Sequence, residues 1–282
     1  MQAPIVPLQR DALPLRDVLH SLGELSDHIR VVDVAQPPDG WIAGHELLEP
    51  RGEPLASLLV RIGERYIDSR RYAAAASFML RFSWSAGPMI AAHLGLGRGL
   101  RYHDYALRFV PSTAIEAVCI RRGEIVAAST ATNVSRRRLL DALIDHTAPV
   151  LEAMHRWSRV SHRALWSMAT SVWGAQFVEI AERLGDAELG RREAQVLFDL
   201  LPRIRRSAPL LYSVAEGGRA GVCQVRGACC LNHKGPNRQH CMVCPLIRDA
   251  ERAERNRAWV ASRPQARVLD PALLATLRER TR

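Results

Sequence analysis

The stretch LRYHDYALRFV at residues 100–110, followed by AIEAVCI at 114–120, decides the fold class. Tyr, Phe, Val and Ile are frequent in both, and such side chains favour a pleated, half-buried strand. Arg121-Arg122-Gly123-Glu124 reads as a turn leading into a further extended piece, IVAAS, at 125–129. The expectation is an antiparallel hairpin or meander. On either side the apolar period is that of a helix, so the class is α+β.

Before the strands, Leu55, Leu58, Leu59 and Ile62 share one helical face, and Pro54 suits the first turn. RYAAAASFMLRFSWSAG at 71–87 is apolar nearly all round, which predicts a buried helix ended by Gly87-Pro88. After the strands, Leu140, Leu143, Ile144, Thr147, Leu151, Met154 and Trp157 recur at three- and four-residue steps, with Pro149 predicting a kink or a break. Residues 161–185 form a second helix, with Ser161 as N-cap and Gly185 as stop. Trp166 and Trp173 lie one heptad apart there, a spacing read as packing against a neighbouring helix rather than the lining of a ligand cleft. A third helix is expected over 187–206.

Four segments follow from this outline. Residues 1–50 read as an irregular N-terminal extension, holding a short helix over 15–25 and the strand-like IRVVDV at 29–34. Residues 51–216 read as an α+β and largely helical domain. Residues 217–262 read as a small C-terminal cysteine lobe, with the strand-like GVCQV at 221–225 and a charged helix over 246–260. Residues 263–282 are a tail broken by Pro264.

The 282 residues suffice to bury a substantial core, and the apolar and charged fractions are ordinary for a globular chain. No uninterrupted apolar run marks a secretory signal near Met1, and no window is long and apolar enough for a membrane span. A cytoplasmic location is therefore expected, where thiols stay reduced and clustered cysteines more often bind metal than pair as disulfides. Net charge is +10, and every basic residue except Lys234 is arginine. The runs Arg136-Arg137-Arg138 and Arg203 to Arg206 lack interleaved aromatics, so nucleic acid is not the expected partner. The positive potential still favours anionic small ligands or an acidic redox protein.

Four of the six cysteines lie in GACCLNHKGPNRQHCMVC, residues 227–244. Cys229 and Cys230 are adjacent, ten residues follow, and Cys241 and Cys244 form a C-x-x-C. In an extended strand, consecutive side chains point to opposite faces. The doublet can serve one site only if the backbone turns there, or if the target is broad enough to be met from two directions. A binuclear 2Fe-2S cluster with four thiolate positions fits that demand better than one tetrahedral zinc, which usually draws on two C-x-x-C knuckles. Zinc stays open as the alternative, and a disulfide pair trails both. His233 and His240 lie in the loop; they read as solvated and are assigned no metal role. Cys119, in a strand pattern, reads as a small buried hydrophobe, and the strand-like setting of Cys223 favours burial over ligation.

The segment resembles the C-terminal signature of the FhuF family of ferric-siderophore reductases: two adjacent cysteines, about ten residues, then C-x-x-C and Pro. Here these are Cys229, Cys230, Cys241, Cys244 and Pro245, with Arg226 and Leu231 also similar. LWSMATSVWGAQFVE at 165–179 is similar to the family's Leu-Trp-Gly-Asn-x-Ala-Ser-Ala helix. Leu165 and Trp166 match, and Ser167 and Met168 stand in place of Gly-Asn. The likeness covers roughly residues 55–250.

The resemblance implies a 2Fe-2S cluster on Cys229, Cys230, Cys241 and Cys244 that passes one electron at a time to siderophore-bound iron(III). Hard oxygen donors suit iron(III), so reduction weakens the complex and releases iron(II). Lys234 and Arg238 of the loop would stabilise the charge of the reduced cluster, or else merely keep a solvated loop at the surface. With no GxGxxG after a strand and no Walker sequence, electrons are expected from an external donor such as a ferredoxin or flavodoxin-like protein. Peripheral contact with the inner face of the membrane is compatible with this picture. Two other classes stay open: a zinc-stabilised siderophore-binding or interaction module, and an iron–sulfur redox sensor.

Overall fold

The computed structural model describes residues 30–32, 39–67, 70–126, 132–236 and 239–280. The helix expected over 15–25 and the residue Arg238 lie outside the described residues.

The expected class holds: the chain is α+β, with a four-stranded mixed sheet, a separate two-stranded hairpin and helices between and after them. The residues read as an irregular extension contribute two of the sheet's strands. Strand β1 (Arg30–Val32) lies parallel to β4, the strand Ile115–Val126, in the register Arg30 to Ala117. Strand β2 (Trp41–Ala43) pairs antiparallel with β3, the strand Gly99–Phe109. The sheet order is β1-β4-β3-β2. β1 falls within the strand-like IRVVDV expected at 29–34, whereas β2, at three residues, is too short for a period-2 pattern to show in sequence and is decided by the long strand beside it.

The hairpin β3–β4 is antiparallel as expected, but the meander is not formed. Arg121 to Glu124 stay extended inside β4, and Gly123 stands opposite Tyr102. The reversal occurs earlier, where Val110 and Ala114 exchange a hydrogen bond of 2.9 Å and Thr113 takes a left-handed conformation at φ 65°. Gly123 is there for closeness rather than for turning: a Cβ would come within 2.7 Å of the Arg101 carbonyl oxygen. Register shifts on both sides of Asp104 absorb the irregularity in the ladder.

Helix α1 (Leu55–Gly63) buries Leu55, Leu58, Leu59 and Ile62, with Pro54 at its N-cap. Helix α2 (Arg70–Phe82) buries Ala73 to Met79 and Phe82. Gly87-Pro88 does not end this region. The chain tightens into a 3-10 turn (Ser83–Ala86), re-forms a helix over Gly87–Ala91 with Pro88 in its first turn, and stops at left-handed Gly97. Proline lacks an N–H that the first turn would leave unpaired in any case, so Pro88 starts a helix here.

Helix α3 (Thr132–Ser158) runs unbroken across Pro149, which costs one backbone hydrogen bond in twenty-seven residues. Helix α4 (His162–Arg183) is capped by Ser161, whose hydroxyl accepts from the Ala164 N–H at 3.2 Å, and it ends before Gly185 at φ 94°. Trp166 and Trp173 pack edge to face at 6.0 Å within the core. The third helix is shorter than expected: α5 covers Ala187–Asp199, and Pro202 then opens a separate single turn, Pro202–Arg205.

Helix α4 is the centre of the molecule. Its buried residues cover every face, and α2, α3 and α5 all pack on it. Gly190 sets the contact between α4 and α5: a Cβ there would run into the Phe177 carbonyl and sit 2.8 Å from the Ala181 Cβ. Gly190→Ala should therefore destabilise the fold by about 1–3 kcal/mol, because backbone cannot yield as a side chain does. Thermal unfolding followed by circular dichroism checks this, and a wild-type midpoint would contradict the packing described.

Candidate metal centre

Strands β5 (Leu210–Glu216) and β6 (Arg219–Val225) form a hairpin turning on Gly217 and Gly218, both at positive φ. Only β6 was expected from the pattern; the segment boundary at 216/217 falls in the turn that joins the two strands. The hairpin aims the chain at α4 just before the cysteines. Arg226 then donates its backbone N–H to the Val243 carbonyl at 2.9 Å, tying the start of the cysteine segment to its end.

Three side chains of α4 receive this segment. Ser167 and Thr170 donate to the Ser207 carbonyl at 2.8 and 3.0 Å, and Ser171 accepts from the Arg226 Nε at 3.2 Å. Gly227 fits against them because it has no side chain; a Cβ would lie 2.6 Å from the Ser167 Oγ and 2.8 Å from the Ser207 carbonyl oxygen. After the doublet, Leu231 adopts φ 61°, which turns the chain into a short 3-10 helix, Asn232–Lys234. The backbone thus turns one residue beyond the doublet and not at it. The loop is anchored on the body where the Ile67 N–H donates to the Lys234 carbonyl at 3.3 Å.

The second pair is shaped by a tight turn, with the Cys244 N–H donating to the Cys241 carbonyl at 2.9 Å. Helix α6 (Asp249–Ser262), the charged helix expected over 246–260, follows immediately. Its Arg252 donates to the carbonyls of Ile247 at 2.7 Å and Cys244 at 3.3 Å, and its Arg255 to that of His240 at 3.1 Å. The tail beyond carries one more helix, α7 (Pro271–Arg280).

All four sulfurs meet, and the doublet splits. Cys229 pairs with Cys244 at 3.8 Å, while Cys230 is hydrogen-bonded to Cys241. Each pair also lies within the electrostatic reach of the other. Metal–sulfur bonds of about 2.3 Å at the tetrahedral angle put sulfurs about 3.8 Å apart, so the Cys229–Cys244 separation is that of two ligands on one ion. Among the described residues, no group of three or more His, Cys, Asp or Glu side chains is placed to hold one metal ion. Cys230 and Cys244 are buried, whereas Cys229 and Cys241 are half-buried.

The thiols divide unequally in their hold on the proton. Cys230 is pulled down to about 5, first by the hydrogen bond from Cys241 and further by Arg226 and the Asn232 N–H. Cys241 is pushed up because it keeps the proton that it shares with Cys230. Burial pushes Cys229 up to about 11, so a metal must displace its proton to bind. Arg81 lies close enough to add its charge to the field at Cys230.

The two histidines are not simply solvated, as the loop's polarity led us to expect. They are half-buried and tilted against one another with ring centres 4.4 Å apart, with the His233 Nδ1 3.7 Å from the Cys229 sulfur and the His240 Nδ1 3.4 Å from the Cys244 sulfur. Burial, then His240 and Lys234, lower the His233 pKa. Cys119 is fully buried in β4. Cys223 is buried in β6 opposite Tyr212, and burial pushes its thiol up to about 11.

Arg252, Arg255 and the α4 stripe Ser167, Thr170 and Ser171 were not anticipated. The stripe had a legible signal, small polar residues at i, i+3 and i+4 in an otherwise apolar helix. The arginines had none, because α6 carries charges on most faces.

Together, fold and site define a class: an α+β chain whose C-terminal cysteine segment gathers four thiols in two pairs against a buried helix. Comparisons with protein-family models, curated proteins and solved structures found no match.

Gly227→Ala should push the segment off Ser167 and the Ser207 carbonyl, at about 1–3 kcal/mol. The expected result is a metal content per chain well below wild type after identical anaerobic preparation; equal content would show that this contact does not position the thiols.

Proposed function

We propose that the chain is a ferric-siderophore reductase carrying a 2Fe-2S cluster on Cys229, Cys230, Cys241 and Cys244. The observation that supports this most is the split pairing, Cys229 with Cys244 and Cys230 with Cys241, which suits two irons rather than one ion. When bound, such a cluster supplies the ability to take up one electron and give up one electron. The balance is simple: one electron comes from an external low-potential donor and leaves to siderophore-bound iron(III), which becomes iron(II) and is released from its hard oxygen ligands.

The chain's own residues hold and tune that group. Cys230 and Cys244 form the inner side, and the half-buried Cys229, Cys241, His233 and His240 form the edge through which electrons would enter and leave. Arg226 and Arg81 place positive charge beside Cys230. Lys234, and in the sequence Arg238, add charge on the outer loop. A net charge of +10 favours an acidic ferredoxin or flavodoxin-like donor. Electron transfer from such a donor should slow as ionic strength rises, and stopped-flow rates indifferent to salt would remove that partner class. Among the described residues, no helix is long and apolar enough to cross a membrane, which agrees with a substrate met in solution or at a membrane surface.

A second reading rests on the histidines. Cys229 neighbours Cys244 and His233, and Cys244 neighbours His240, residue types that zinc accepts, although no three of them are placed around one ion among the described residues. That reading leaves the Cys230–Cys241 pair without a purpose.

Replacement variants separate the two. For a cluster, Cys230→Ser and Cys241→Ser abolish the visible absorption of anaerobically purified protein, and His233→Ala with His240→Ala retains it. For zinc the pattern reverses, and the protein is colourless. Reduced wild-type protein mixed with ferric hydroxamate or catecholate complexes should then yield chelator-trapped iron(II), one per electron stored. A colourless chain holding one zinc would defeat the proposal.

A further inference from the structure

Arg226 is 8 % exposed, so its guanidinium has been taken out of water almost entirely. Such burial is tolerated when a counter-charge and acceptors replace the lost solvent. Among the described residues, no carboxylate lies within ion-pairing distance of it. Its Nε donates to the Ser171 hydroxyl at 3.2 Å, and the guanidinium also donates to the sulfur of Cys230. Its Nη1 is buried with no acceptor among the described residues. Buried donors are normally satisfied, so this orphan points to an acceptor that the chain itself does not provide.

The surroundings narrow the choice of acceptor. The charge of Arg226 acts on the sulfurs of Cys230 and Cys241, of which Cys230 is the one favoured as thiolate, and its backbone is fastened to Val243 between Cys241 and Cys244. Arg81 is different: its Nε donates to the Thr113 hydroxyl and its Nη1 to the Ser77 carbonyl, so it acts on the site by field alone. Arg226 is the cation built against the thiols.

We propose that Arg226 is the fixed counter-charge of the four-sulfur centre, held by Ser171 so that it favours the state carrying one more electron and offers Nη1 as donor to a sulfur of the bound group. This rests on the 2Fe-2S reading and deepens it. One electron adds one unit of negative charge to the centre, and a buried cation in contact stabilises that form more than the oxidised one. Net charge and hydrogen bonds to sulfur are among the determinants of cluster potential, so the residue acts by tuning rather than by touching substrate.

The test is the reduction midpoint potential, measured anaerobically by dye equilibration and followed by visible absorption and electron paramagnetic resonance. Wild type, Arg226→Gln, Arg226→Lys and Ser171→Ala are compared, with iron and acid-labile sulfide counted for each. The expected result is a potential shifted negative in Arg226→Gln with the spectrum of the cluster retained. Arg226→Lys and Ser171→Ala should shift less, since both keep the charge and loosen its placement. If Arg226→Gln does not fold, these two carry the test. Potentials equal to wild type in every variant that retains a full cluster would overturn the proposal while leaving the reductase reading intact. A wild-type chain without a dinuclear iron–sulfide chromophore would instead bring down both.

Discussion

A helix with no solvent face must satisfy its polar side chains inside the protein, and that constraint organises this molecule. Helix α4 is apolar on most of its surface, but Ser167, Thr170 and Ser171 form a short polar stripe along one side. Left unpaired, each hydroxyl would cost on the order of 1–3 kcal/mol. Thr170 also donates to the Trp166 carbonyl of its own helix at 2.9 Å; the rest of the chain brings the Ser207 carbonyl to Ser167 and Thr170, and to Ser171 the Gln224 Oε1 as acceptor at 3.4 Å and the Arg226 guanidinium as donor, by way of the turn after α5 and the hairpin β5–β6. Satisfying the helix therefore docks the cysteine segment. The next turn of the same face is Gly174, which has room only for Pro209 and Leu211 to close against it. One side of one helix thus fixes the depth at which the doublet sits.

Adjacency then decides how the thiols divide. Neighbouring residues cannot both reach one point without a sharp turn, and Leu231 supplies the turn too late to bring the doublet together. Each cysteine of the doublet instead meets one member of the C-x-x-C. The same division gives each pair an inner and an outer sulfur, Cys244 with Cys229 and Cys230 with Cys241. Under the proposed reading, each metal would have one ligand anchored in the protein and one near the surface, an arrangement that keeps the centre rigid while leaving it a short path to partners.

The long, strongly patterned elements were legible. Leu55, Leu58, Leu59 and Ile62 shared a face by spacing alone, and Ser161 and Gly185 marked the ends of α4. The β3–β4 hairpin followed from composition. What failed were readings that treated punctuation as absolute. Gly123 was taken for a turn, yet its lack of a side chain serves a close approach to Arg101 within a strand. Gly87-Pro88 was taken for a stop, yet Pro88 opens the next helical turn, and Pro149 passes through α3. In each case tertiary packing outweighs a local preference worth a few kcal/mol at most. At the site, the clustering of four cysteines was legible because their identity and spacing stand in the sequence itself. Arg252 and Arg255 were hidden because they act on backbone carbonyls, and any residue could have supplied those acceptors.

The general excess of arginine and the particular cations at the centre are different matters. Most of the positive charge lies on exposed surface, where it is screened within about 8–10 Å and acts on encounter rather than on chemistry. Arg226 is withdrawn from water and Arg81 is half-buried, and desolvation lowers the Arg81 pKa from its ordinary value. Arg81 also ties the left-handed Thr113, at the reversal of the main sheet, to the field around Cys230. Two parts of the fold far apart in sequence, the β3–β4 reversal and helix α4, each hold a cation toward the same buried thiol.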